Sequence, residues 1–170
     1  IKYFEKPVLH YWLTASAQAV FGETEFSGRF WPALLALGGI LCTFIIAKSM
    51  FGKETALCSS AILTTSLVYF AIGQINITDM PLSFFLTLSM TGFWFGLEKN
   101  RRFYLLFYAG AALALLTKGL IGIVLPGGII FWYMILTRRW DIVRSALYLP
   151  GIILFFVLFL PWFMAVCLVN

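Results

Sequence analysis

Charge is scarce in this 170-residue sequence. Asp, Glu, Lys and Arg make up only 11% of it, against about a quarter in soluble globular domains. With 62% hydrophobic residues, 18% aromatics and a mean hydropathy of +0.96, that deficit excludes an ordinary soluble domain. Histidine occurs once, and the three cysteines, Cys42, Cys58 and Cys167, lie in apolar stretches without metal-ligand spacing. They read as small buried hydrophobes, so no metal centre or disulfide framework is expected. None of the apolar runs present reads as a signal peptide, because they continue to the last residue and no small-residue cleavage site follows a basic first stretch. The net charge of +5 does not indicate nucleic acid, because the basic residues fall in short stretches between apolar runs, where membrane orientation accounts for them. The sequence opens without Met and ends inside an apolar run, so it is expected to be a piece of a longer protein.

Long apolar runs dominate what is present. About 20 apolar residues cross a hydrocarbon core of about 30 Å, and segments near 26–48, 55–72, 80–97, 103–117, 119–136 and 146–169 read as six spans. The expected fold is therefore all-α, a polytopic membrane bundle. Residues 8–21 are too few to cross. They place His10, Thr14 and Gln18 on one helical side, opposite Leu9, Trp12 and Val20, which predicts an interfacial helix. Pro7 suits the start of that helix. The organisation expected is a loop end with a surface helix over 1–25, then a transmembrane domain over 26–170, incomplete at both ends. Gly92 and Gly96 have the small-xxx-small spacing of close helix packing. Pro126-Gly127-Gly128 is expected to bend or loosen the fifth span.

The connections assign the sides. Lys48, Lys53, Lys99, Arg101, Arg102, Arg138, Arg139 and Arg144 share one face, and Lys2, Lys6, Arg29 and Lys118 the other. The first set marks the cytoplasm, so the N-terminal segment is expected to be extracytoplasmic. Trp12, Trp31 and Trp162 then fall near the outer boundary, and Trp94, Trp132 and Trp140 near the inner one.

The cytoplasmic connections read as anchors, whereas Glu5, Lys6, His10, Asp79 and Lys118 converge on the outer face from three regions of sequence. Glu5 and Lys6 precede the surface helix in an extended run-in, where side chains alternate in direction, so one can face a site while the other secures the loop. They also fit a solvated surface pair. His10 fits a polar interface residue as well as a ligand. Asp79, in Asn76-Ile77-Thr78-Asp79-Met80-Pro81, fits both a helix cap and a group that positions substrate. The sequon Asn76-Ile77-Thr78 is too close to the membrane to serve as a glycosylation acceptor. Lys118 before Gly119 reads as the outer start of the fifth span. There it could contribute to an anion site or snorkel to the headgroups.

Taken jointly, Tyr3-Phe4-Glu5-Lys6-Pro7, Tyr11-Trp12, Asp79 with Pro81, and Leu116-Thr117-Lys118-Gly119 resemble the polyprenyl-phosphate-dependent membrane glycosyltransferases of the GT-C fold. That family includes the bacterial aminoarabinose transferases that modify lipid A and the protein O-mannosyltransferases. The resemblance implies inverting sugar transfer from a polyprenyl-phosphate donor to a lipid or protein acceptor, in the inner membrane. The lipid-linked sugar is then a co-substrate, and no cofactor is implied, although a loop carboxylate such as Glu5 could touch a divalent cation. Asp79 is the catalytic candidate, orienting the acceptor or the loop. Lys6 is the first candidate for the phosphate contact and Lys118 the second, with Glu5, Tyr3 and His10 completing the substrate-binding set. The family's acidic residue earlier in the same loop would precede Ile1, so the piece alone is expected to be inactive. The alternative is a transporter or flippase for a lipid-linked or anionic substrate. It predicts functional polar groups near mid-membrane and a hydropathy pattern repeated between halves, whereas the spans have few ionisable residues at their centres and show no such repeat. A noncatalytic scaffold would tolerate replacement of the outer-face acid and base.

Overall fold

A computed structural model of the chain describes residues 7–169. These fold into nine α-helices with no strand among the described residues: α1 Leu9–Phe21, α2 Glu25–Phe51, α3 Lys53–Thr65, α4 Leu67–Gln74, α5 Asp79–Glu98, α6 Tyr104–Lys118, α7 Ile121–Thr137, α8 Asp141–Ala146 and α9 Leu149–Val169. Local chemistry marks several ends. Thr24 and Ser27 exchange side-chain and backbone hydrogen bonds at 3.2 Å, a capping box that opens α2. The Asn100 side-chain oxygen Oδ1 accepts from Arg102 N–H at 2.9 Å and opens the 3-10 turn Arg101–Phe103 before α6. Gly119, at φ 77°, sends its N–H to Leu115 O and ends α6, a left-handed backbone that favours glycine.

Each of the six apolar segments coincides with a helix or helix pair, but the pieces differ from uniform spans. Among the described residues, α2, α5 and α9 are long and apolar enough to cross a membrane. The segment expected over 55–72 is two helices, α3 and α4, bent by 60° at Ser66, a geometry shared by a broken span and a re-entrant loop. Ser66 turns to an extended backbone, at ψ 118°. The remaining two are α6, with 15 residues, and α7, with 17. α7 contains the buried Pro126 within a continuous helix.

The centre of the bundle is the antiparallel pair α5 and α6. In lipid there is little hydrophobic force between helices, so close backbone approach through small residues matters most. A Cβ on Gly110 would lie 2.8 Å from Phe85 O and from Ser89 N, and one on Gly92 would collide with the Leu106–Phe107 backbone. Gly96 meets the Tyr104 ring. Ser89 Oγ, fully buried, donates to Phe107 O at 3.0 Å across the same contact. Cysteine placement differs from expectation. Cys42 is buried, but Cys58 and Cys167 are exposed on the outside of their helices, where an apolar membrane environment accepts a thiol without burial in protein.

At the end of the bundle carrying Glu98, polar contacts hold the connections. Arg101 Nη2 donates to the backbone oxygens of Arg144 and Ser145 at 3.1 and 3.3 Å, satisfying carbonyls at the end of α8. Tyr108 Oη donates to Ala146 O at 2.7 Å, and Tyr104 Oη to Ser145 Oγ at 3.1 Å. Arg139 bridges Glu98 at 3.7 Å and Asp141 at 3.4 Å. The hydrogen bond to Asp141 pushes its guanidinium above the ordinary arginine range, so it stays cationic throughout.

Candidate functional site

The opposite end of the bundle gathers three pieces of chain. α1 docks there through Leu9, which joins Leu35 of α2, Met80, Leu82 and Phe85 of α5, and Leu116 of α6 in one buried cluster. The side of α1 that packs is Leu9, Leu13 and Ala17, while Trp12 is 53% exposed and Val20 75%. Of the apolar residues expected on one side, Leu9 packs on the bundle, whereas Trp12 and Val20 remain outside it. Trp12 meets Trp162 of α9 edge to face, with ring centroids 5.9 Å apart. The polar side of α1 turns partly inward. Thr14 Oγ1 and the Asn76 amide exchange hydrogen bonds at 3.2 and 3.3 Å, joining the surface helix to the turn that precedes α5.

Asp79 is the first residue of α5, and the N-cap position is Thr78, whose side chain makes no capping bond. The carboxylate accepts from Lys118 Nζ, so the capping role expected of Asp79 gives way to an ion pair. Lys118 is also placed differently from expectation. It is the last residue of α6, and α7 begins only at Ile121. The backbone groups that end α6 are carbonyls, which favour a cation, whereas an anion site would need the free N–H groups of a helix start. Gly119 explains the shift by ending α6 immediately after the lysine.

Directly below, Met80 and Thr117 are fully buried, and Thr117 Oγ1 donates to Leu113 O at 2.7 Å. The pair therefore stands on a fixed floor, with each side chain 45% exposed. An ammonium has three donors and a carboxylate about four lone-pair positions, so one shared bond leaves both groups capacity for an outside ligand. Asp79 offers acceptors and Lys118 donors. A carboxylate already accepting from an ammonium is suited to orienting a hydroxyl rather than to donating a proton.

Of the six site residues expected from sequence, the structure brings Asp79 and Lys118 into contact. His10 stands half-buried on α1, one turn before Thr14, with its ring edge to face with Tyr11. Tyr3, Glu5 and Lys6 lie outside the described residues. Asn76 was missed as a structural residue, and its place three residues before Asp79 was the available signal. Among the described residues no group of three His, Cys, Asp or Glu side chains could hold a metal. A separate trough of about 580 Å³ lies between α2 and the end of α4, lined by Phe30, Ala33, Leu34 and Gln74, with Glu25 and Arg29 paired at 3.4 Å on its rim. Neither Asp79 nor Lys118 lines it.

Residues 5–164 match the family model described as dolichyl-phosphate-mannose-protein mannosyltransferase. An undecaprenyl phosphate-alpha-4-amino-4-deoxy-L-arabinose arabinosyl transferase of Shewanella sediminis is 31% identical, over 98% of this chain and 31% of its own length. Two crystal structures of ArnT from Cupriavidus metallidurans, one apo and one bound to undecaprenyl phosphate, superpose with TM-scores of 0.94 at 30% identity. They cover all of this chain and 33% and 32% of theirs. The chain thus spans about a third of the length of the relatives it matches.

Proposed function

The chain belongs to the dolichyl-phosphate-mannose-protein mannosyltransferase family, and from that premise we propose that the protein carrying it transfers a sugar from a polyprenyl-phosphate donor to a lipid acceptor. The observation that carries this reading is the likeness, over the whole chain, to ArnT bound to undecaprenyl phosphate. The arabinosyl transferases among the relatives favour an aminoarabinose donor and a lipid A acceptor. The family model's own description supports a second reading, mannosyl transfer to protein.

In the proposed reaction an acceptor oxygen attacks the anomeric carbon and the bond to the lipid phosphate breaks. The phosphate leaves with the electron pair, and the anomeric centre inverts. Preorganised cations act best where that charge develops. Lys6 is the proposed phosphate contact, with Tyr3, Glu5 and His10 forming the rest of the substrate-binding surface. Asp79 orients the acceptor hydroxyl or the loop above it. Lys118, expected as a second phosphate contact, is engaged by Asp79, so it acts as the positioning residue for that carboxylate. The site faces the extracytoplasmic side of the inner membrane, which the basic residues at the far end of the bundle support.

The test is transfer by the full-length protein in proteoliposomes, with an undecaprenyl-phosphate sugar as donor and lipid A as acceptor. Lys6→Ala and Asp79→Asn should each sharply reduce turnover. Unchanged turnover in both would remove the assignment of these roles. Absence of transfer by the unaltered protein with either lipid A or a protein acceptor would remove the transferase reading.

A further inference from the structure

At the Glu98 end of the bundle, remote from Asp79, a cavity of about 390 Å³ opens between the ends of α2 and α5. Its lining is Phe44, Ile45, Lys48 and Ser49 from α2, with Phe95 and Lys99 from α5. Lys48 is in the last turn of α2 and Lys99 is the C-cap of α5. Each ammonium stands over the ring one turn earlier on its own chain, Lys48 at 6.0 Å from the Phe44 centroid and Lys99 at 4.6 Å from that of Phe95. Among the described residues neither lysine has an ion pair, and Glu98, the acid beside Lys99, is taken by Arg139.

A lone lysine at a helix end is accounted for by the helix dipole and by snorkelling. Here, two lysines from neighbouring helices line one cavity together with a hydroxyl donor, and no acid among the lining residues offsets them. The rest of the lining is apolar, Phe44, Ile45 and Phe95, each three or four residues before the lysine on its own helix. Free phosphate would leave those walls unused, and an uncharged lipid would leave the two ammonium groups unmatched. We propose that this cavity binds the phosphodiester headgroup of an anionic phospholipid, with Lys48, Lys99 and the Ser49 hydroxyl on the phosphate and an acyl chain along Phe44, Ile45 and Phe95. Basic pockets between membrane helices are recognised sites for such headgroups. The site stands independently of the transferase reading, because it lies at the other end of the bundle.

The full-length protein, purified in mild detergent and stripped of lipid, would be titrated with phosphatidylglycerol, phosphatidylcholine and inorganic phosphate, with binding followed by native mass spectrometry. Phosphatidylglycerol should bind, and affinity should fall about fivefold for Lys48→Ala or Lys99→Ala and about 25-fold for both together. Ser49→Leu, which keeps both charges but fills the cavity, should also weaken binding. Lys53→Ala, at the same end but outside the cavity, should not. Equal loss with Lys53→Ala, equal binding of phosphatidylcholine, competition by millimolar-range phosphate as effective as the lipid, or unchanged affinity in the lysine variants would each overturn the proposal. If the double variant does not fold, the single variants and Ser49→Leu decide the question by the same criteria.

Discussion

Lys118 Nζ donates to the carboxylate of Asp79 although 39 positions of sequence separate them. The acid begins α5 and the base ends α6. In antiparallel neighbours these two ends lie together, and each charge sits where its own helix dipole favours it. The surrounding parts are fixed independently, Met80 and Thr117 by burial and the preceding turn by the Thr14–Asn76 contact.

A half-exposed pair of this kind contributes only about 0.2–1 kcal/mol to stability, or less than about an order of magnitude in an equilibrium. Asp79→Asn in the full-length protein should therefore leave the thermal midpoint nearly unchanged while lowering sugar transfer about 100-fold, the scale of losing one aimed electrostatic group. Lys118→Ala should cost about tenfold and Lys118→Arg much less. A rate loss matched by an equal loss of folded protein would instead make the pair purely structural. Thermal unfolding and turnover measured on the same preparations distinguish the two.

Gly110→Val should separate α5 from α6, because the Cβ alone already lies 2.8 Å from backbone atoms that cannot swing away. Overpacking of this kind costs about 1–3 kcal/mol. Gly127→Ala, where a Cβ meets nothing within 4 Å, should be neutral or stabilising by up to about 1 kcal/mol from helix propensity. Detergent-micelle unfolding curves of the two variants provide the comparison.

Tyr69 Oη donates to Ala36 O at 2.9 Å and occupies the space beside Gly39. Tyr69→Phe should cost about 0.5–1.5 kcal/mol. Gly39→Ala should cost more, since its methyl collides with that hydroxyl, and less again in the Tyr69→Phe background. The two changes should thus be non-additive in a double-mutant cycle. Additive costs would show that the hydroxyl and the glycine do not share one packing constraint.

Arg101→Ala should free the carbonyls at the end of α8. The expected result is about tenfold faster amide exchange over residues 141–147, the scale of one charge-assisted hydrogen bond, with exchange in α5 unchanged. Hydrogen exchange with mass-spectrometric readout resolves the two regions.

Much of this architecture could be read from residue order. The apolar runs located every long helix, and Gly92 and Gly96 pointed to the surface that α6 covers. The break at Ser66 was not visible, because Thr64-Thr65-Ser66 contains neither Pro nor Gly and its hydroxyls leave a helix as readily as they join one. The packed side of α1 was not specified by sequence. In a membrane protein apolar character does not separate inside from outside, so Leu9 can pack while Trp12 and Val20 of the same apolar side face outward. Gly119 announced a break, but which helix owned Lys118 depended on where the chain turned. Its partner depended on two helices meeting, which spacing along one chain does not specify.

The contacts that join α5 to α6 all fall between Asp79 and Lys118: Gly92 against Leu106 and Phe107, Gly110 against Ser89, the Ser89–Phe107 hydrogen bond and the terminal ion pair. One end of this hairpin is closed by the short 99–103 connection and the other by charge. The close backbone contacts within it are made by its own residues, while α8 adds Ile142 beside Phe93 and Tyr104. During synthesis, which releases the chain from its N-terminus, these 40 positions can enter the bilayer as a self-latched hairpin before α8 covers that end. The later helices then assemble on a template that already exists.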